Sequence, residues 1–84
     1  MGRDGVTNIP KWKFDTIRVA ILDICAEETL FKHLPAKVGE RLSDEDRANL
    51  GSLGWHVTTV KLELEVRGEI ARVPGKGPQK IIRT

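Results

Sequence analysis

The segment from Ser52 to Arg67 constrains the fold most, because its apolar residues fit two different periodicities. Read as a strand, residues 57–66 alternate between apolar and charged side chains from position 60 onward. Read as a helix, the segment has one tight apolar stripe formed by Leu53, Val57, Val60 and Leu64. The helical reading accounts for more apolar residues over a longer window, and Gly68 provides a natural helix end. We therefore predict a helix over 52–67.

Three helical segments are predicted before this helix. The first runs from Pro10, which suits a first helical turn, to Glu27. Its apolar face is formed by Phe14, Ile17, Ile21, Ile24 and Cys25. A short second helix begins near Pro35, because Leu34, Val38 and Leu42 are spaced four apart. Ser43 and Asp46 have the spacing of a capping box, which predicts a further turn or two of helix over 44–50.

The last segment of the chain has the pattern of a β-hairpin. Two short segments with apolar residues, 70–73 and 80–83, flank the sequence Pro-Gly-Lys-Gly-Pro at 74–78. Glycine and proline in such a position are typical of a turn. The chain is therefore predicted to be mainly α with a small β-hairpin, in the α+β class.

Length and composition predict one domain spanning residues 1–84, with residues 1–9 flexible. Eighty-four residues with 39% hydrophobic and 31% charged side chains fit one small globular core. No apolar run approaches the roughly 20 residues that a membrane-spanning helix needs. The first ten residues lack the apolar stretch of a signal peptide, and the single cysteine cannot form an intramolecular disulfide. We expect a cytoplasmic protein with no membrane partner.

The sequence LEVRGEIARV at 64–73 resembles the end of the recognition helix and the start of the wing in winged helix-turn-helix proteins. The match is carried by Leu64, Glu65, Gly68, Ile70 and Arg72. Together with Gly-Trp-x-Val at 54–57, it is similar to a family of short, uncharacterised bacterial proteins of that fold. The resemblance implies three main helices followed by a two-stranded wing. One departure is Lys61, because many winged helices carry an apolar residue at this place.

The resemblance also implies a DNA-binding protein, such as a transcriptional regulator, that lays helix 52–67 in the major groove and touches the backbone with wing 72–83. The implied nucleic-acid contacts are Ser52, His56, Thr59 and Arg67 on the helix, and Arg72, Lys76, Lys80 and Arg83 on the wing. Two observations oppose this interpretation. Glu63 and Glu65 place negative charge on the reading helix, and its first two turns contain no arginine.

Five apolar residues fall outside the predicted core stripes. Trp12 and Val19 lie on the polar side of the first helix, and Trp55, Leu62 and Val66 lie opposite the core stripe of helix 52–67. In one interpretation the N-terminal segment or the wing covers the patch on helix 52–67. In the other, these residues pair two copies of the chain or dock a protein partner. The alternative function is therefore a winged-helix protein-interaction module, and we favour a homodimer.

No catalytic or metal-binding site and no cofactor are expected. The chain has two histidines and one cysteine, with no second ligand at zinc-binding spacing. Cys25 is expected to be a buried small hydrophobic residue, and the acids at 44–46 to be a solvated helix start. The Gly-Lys-Gly sequence at 75–77 lacks the context of a phosphate-binding loop and is read as a turn. With no nucleophile–base pair apparent, the chain is not expected to be an enzyme.

Overall fold

The computed structural model describes residues 9–84, a mainly helical α+β domain. Its helices are α1 (Lys11–Ile24), α2 (Leu34–Glu40), α3 (Asp44–Leu50) and α4 (Leu53–Arg67). Its strands are β1 (Thr29–Leu30), β2 (Ile70–Arg72) and β3 (Lys80–Arg83), and residues 31–33 form a 3₁₀ turn. No helix within residues 9–84 is both long enough and apolar enough to cross a membrane.

The helical interpretation of residues 52–67 is confirmed, and local signals fix both ends of α4. The Ser52 hydroxyl accepts a hydrogen bond from the Trp55 amide at 3.2 Å, which caps the first turn. Gly68 adopts the left-handed conformation with φ of 78°, which glycine tolerates best. The capping box of α3 is also present, since the Ser43 hydroxyl accepts from the Asp46 amide at 3.0 Å.

The first helix ends earlier than predicted, at Ile24 instead of Glu27. Beyond it the amides of Ala26 and Glu27 bond three residues back, in a turn that tightens the helix end. The hydroxyl of Thr29 then donates to the carbonyl oxygens of Ile24, at 3.3 Å, and Glu27, at 2.9 Å. This threonine side chain satisfies carbonyls that a longer helix would have used, and the chain turns into β1. The second helix also ends at Glu40, before Leu42.

The sheet has three antiparallel strands in the order β1-β3-β2, not two as predicted. The predicted hairpin is present, with Arg72 opposite Ile81 and Ile70 opposite Arg83. The additional strand β1 pairs Thr29 with Ile81. β3 is therefore the central strand, and the hairpin is joined to the connection between α1 and α2.

The core lies between α1, α2, α4 and the inner face of the sheet. Its fully buried side chains include Ile17, Ile21, Leu34, Val38, Val57, Val60, Leu64, Ile70 and Ile81. Cys25 is fully buried, as predicted. Ile9 is buried against this core. The rest of the segment predicted to be flexible, residues 1–8, lies outside the described residues.

Candidate interaction surface

The side of α4 that faces away from the core carries a row of exposed apolar side chains. Trp55 is 51% exposed, Leu62 47% and Val66 82%. Thr59 is half-buried and lies between Trp55 and Leu62 in the same row. The four residues, hereafter the outer stripe, follow one another at intervals of four, three and four. Intervals of this kind are those of the contact residues of a helix that packs along a second helix.

The hairpin leaves the outer stripe uncovered, because it contacts α4 on a different side. The guanidinium of Arg72 reaches Glu65, and Gln79 reaches Lys61, which lies on the buried face of α4. The interpretation that the wing covers the stripe is therefore wrong. The N-terminal segment, which was the other candidate cover, lies outside the described residues except for Ile9 and Pro10.

Trp12 and Val19 are also exposed, on the side of α1 that faces away from the core. Val19 borders a groove between α1 and the end of α2 that is also lined by Thr16, Ala20 and Leu42. Because Trp12, Val19 and the outer stripe are all exposed, neither apolar patch covers the other. Within residues 9–84, exposed apolar side chains thus lie on both α1 and α4.

Two glutamates flank the outer stripe, one on each side, and both are already paired. Glu63 accepts a hydrogen bond from Arg67 at 2.9 Å, and the guanidinium of Arg67 also lies over the Phe14 ring. Glu65 pairs with Arg72 at 3.2 Å. Two of the cations that the resemblance assigns to DNA, Arg67 and Arg72, are thus engaged with acids of α4 itself.

Lys61 of α4 is buried, with 2% of its surface exposed, which is unexpected for a lysine. Its ammonium donates to Gln79 Oε1 at 2.7 Å and lies 3.0 Å from a Glu65 carboxylate oxygen. It also lies 4.6 Å from the centre of the Phe31 ring. Lys61 therefore ties α4 to the hairpin and to the turn after β1. The helical wheel contains a signal for this role, since Lys61 falls beside the core stripe.

The other residues assigned to the reading helix are also used within the fold. Ser52 caps α4 with its hydroxyl. His56 is buried, with 9% exposure; its Nδ1 donates to the Ser52 carbonyl at 2.6 Å, and its ring packs edge-on against Trp55. The ring of His56 is thus largely used within the fold, and its contact with nucleic acid stays a prediction. Thr59 remains half-buried on the outer stripe.

The cations predicted to lie on a wing are exposed but spread along the hairpin. Arg83 lies opposite Ile70 at the end near α4, and Lys76 lies in the connection at the far end. Lys80 lies between them, 4.0 Å from Glu28, and points to the face of the sheet opposite to that of Arg83, because the two are an odd number of residues apart. The hairpin thus presents separate charges and not one compact phosphate site.

Within residues 9–84, no three side chains of His, Cys, Asp or Glu are grouped so that they could hold a metal ion. Burial raises the pKa of Cys25 to about 11. The thiolate, which is the nucleophilic form, is therefore scarce at neutral pH. Cys25 contributes to packing in this fold.

Comparison with known proteins gives one family. Residues 1–81 match DUF6958, which is described as a family of unknown function. The chain belongs to this family. The match includes all four helices and the outer stripe, and it ends within β3. The comparisons with curated proteins and with solved structures gave no match.

Proposed function

We propose that the protein is a protein-interaction module of winged-helix type, and that it binds a partner helix along the outer stripe of α4. The winged-helix architecture is supported by the element order, in which α2 to α4 precede the hairpin of β2 and β3. The observation that carries the function is the exposure of Trp55, Leu62 and Val66 in one row. Apolar residues grouped on a surface mark a site of contact with another protein.

Burial of this row favours association. Trp55 exposes about half of its surface, which corresponds to an area on the order of 100 Å² for an indole side chain. At about 25 cal/mol per Å², covering it contributes roughly 2.5 kcal/mol. Tryptophan is also enriched among the residues that dominate binding energy at protein interfaces. Leu62 and Val66 extend the same surface along the helix by three turns.

The internal ion pairs favour a protein over DNA as the partner. Glu63 and Glu65 hold Arg67 and Arg72 in ion pairs, which reduces the positive charge that α4 offers to a phosphate backbone. A phosphate that bound either arginine would compete with a carboxylate that is already in place. A partner helix with an apolar face does not depend on these cations.

Site-specific photocrosslinking in cells that produce the protein tests this function. A photoreactive amino acid at position 62 or 66 is expected to form adducts, whereas one at Lys37, an exposed position on α2, is not. Trp55→Ala should reduce the adducts at position 62, because it removes the largest side chain of the stripe. Equal labelling from position 37 and position 62 would contradict the proposal.

The hairpin supports DNA binding as a second candidate function. From Ile70 to Thr84 it carries Arg72, Lys76, Lys80 and Arg83 and no acid. Phosphate contacts from such residues would give binding that is independent of sequence and weakened by salt. In this candidate α4 is the reading helix, with Ser52, His56, Thr59 and Arg67 as its predicted contacts.

A further inference from the structure

We infer that the helix that packs on the outer stripe is α4 of a second copy of this chain. The two helices run antiparallel, and their twofold axis crosses the outer side of α4 at the level between residues 60 and 61. The inference rests on the proposed function, since it names the partner of the same surface. Its basis is the self-complementary order of side-chain sizes along the stripe.

The spacing of the stripe assigns its residues to the two contact positions of a heptad. Trp55 and Leu62 are seven apart, and so are Thr59 and Val66; the steps between them are four, three and four. This is the order d-a-d-a of a helix–helix seam. When two such helices run antiparallel, each d residue faces an a residue of the other helix.

The twofold axis then produces four layers of matched size. Trp55 faces Val66 of the partner subunit, and Leu62 faces Thr59 of the partner subunit; the axis repeats both contacts. Each layer thus combines a large side chain with a small β-branched one. A parallel pair would instead place two indoles in one layer and two valines in another, so that the helices could not remain evenly spaced. The sequence of the stripe therefore favours the antiparallel arrangement.

The charges beside the stripe are compatible with this pairing. In an antiparallel pair, Glu63 lies beside the region of His56 of the partner subunit, and Glu65 beside Thr58 of the partner subunit. No carboxylate meets a carboxylate. The existing pairs of Glu63 with Arg67 and of Glu65 with Lys61 and Arg72 also reduce the charge that each helix carries to the interface.

The size of the outer stripe determines the expected affinity of the dimer. Four side chains on one helix bury less than the roughly 800 Å² per partner of a standard interface, and small interfaces are typical of weak association. We therefore expect a dimer that forms at about 10–100 µM and dissociates on dilution.

Sedimentation equilibrium of the purified full chain, from about 5 to 300 µM, tests the dimer. Leu62→Glu and Val66→Glu should each raise the dissociation constant by about tenfold or more, because each places a charge in an apolar layer. Val66 is 82% exposed, so its replacement leaves the core intact if Leu62→Glu disturbs folding. Val19→Glu is the matched control, an equally drastic change on the exposed face of α1 that should leave the dissociation constant unchanged.

Disulfide trapping tests the antiparallel register. When a Thr59→Cys chain is mixed with a Leu62→Cys chain, the disulfide between positions 59 and 62 of the two chains should form faster than either symmetric disulfide. Cys25 does not compete, because it is fully buried. Preferential joining of position 62 to position 62 would indicate parallel helices and overturn the inference.

The outcomes separate the inference from the function on which it rests. A protein that stays monomeric at about 300 µM overturns the second copy as partner. If position 62 still crosslinks to a different protein in cells, the interaction module stands and only the identity of the partner is wrong. If position 62 crosslinks to nothing, both fail. Dissociation by Val19→Glu but not by Val66→Glu would place the interface on α1 and also overturn the inference.

Discussion

Lys61→Met tests whether the buried ammonium holds the hairpin against α4. The change removes the charge but keeps most of the unbranched side chain. It deletes the hydrogen bond to Gln79, the ion pair with Glu65 and the contact with the Phe31 ring. A hydrogen bond that involves a charged group contributes about 1.5–3 kcal/mol, and a desolvated cation–π contact up to about 2 kcal/mol. Part of this is offset because methionine no longer requires desolvation of a charge.

The position of Arg72 limits the loss. Glu65 keeps its 3.2 Å pair with Arg72, so no carboxylate is left without a partner after the substitution. We therefore expect Lys61→Met to reduce the free energy of unfolding by about 1–3 kcal/mol, below the 3–5 kcal/mol of a fully broken buried pair. Lys61→Ala should cost about 2 kcal/mol more, because it also removes the packed hydrocarbon stem.

Urea denaturation at about 25 °C, followed by tryptophan fluorescence, measures these changes. A double-mutant cycle of Lys61→Met with Gln79→Ala should give a coupling energy of about 1 kcal/mol, since the two side chains share a 2.7 Å hydrogen bond. Lys37→Met is the control on an exposed lysine of α2, and it should change stability by less than about 0.5 kcal/mol. If Lys61→Met is as stable as the wild type, the cost of burying the ammonium cancels its contacts, and the reasoning fails.

Three further predictions concern the core, the thiol and the hairpin. Leu64→Ala, at a fully buried position, should lower the free energy of unfolding by roughly 2–5 kcal/mol, as measured by urea denaturation. A decrease below about half a kcal/mol would mean that Leu64 is not a core residue. The Cys25 pKa, raised from 9.0 to about 11, leaves stability unaffected below pH 9. Above it the unfolded chain releases the thiol proton first, so the free energy of unfolding should fall by up to about 1.4 kcal/mol per pH unit, with a smaller slope in Cys25→Ala. Identical slopes would refute this. If the hairpin binds duplex DNA, affinity at low salt should be micromolar or weaker. Replacing Lys76, Lys80 and Arg83 by alanine should then reduce the slope of log K against log salt concentration by up to about 0.9 for each phosphate that is no longer neutralised. Undetectable binding at about 50 mM salt would exclude the DNA candidate.

The elements that could be predicted from the sequence are those whose ends carry local signals. Ser52 and Gly68 bound α4, Ser43 caps α3, and a Gly/Pro-rich connection separates the strands of the hairpin. Strand β1 has no such signal, because two residues are too few to show a periodicity. It exists because β3 offers a free edge to residues 29 and 30. The early end of α1 has the same cause, since the chain must turn before it reaches this edge.

The sequence predicts which residues lie on the outer side of α4, but not how deeply the residues beside them are buried. The helical wheel places Trp55, Leu62 and Val66 on one side of α4, and the structure leaves them exposed. The wheel also places Lys61 and His56 at the borders of the core stripe, but it gives no distance to other elements. Whether a border residue is buried depends on the elements that pack beside it. For Lys61 these are the hairpin and the turn after β1, whose positions are set by tertiary packing.

The two periodicities of residues 52–67 have one physical origin. α4 has a core stripe on one side and apolar residues on the opposite side, and a helix with two opposed apolar stripes lacks the single-sided pattern of an ordinary surface helix. Over Val60, Leu62, Leu64 and Val66 the stripes alternate, since steps of two residues move about 200° around a helix and so change sides each time. The same alternation is typical of a strand. The strand-like pattern inside a helix is therefore itself the sequence signal of the outer stripe, the surface on which the proposed partner would pack.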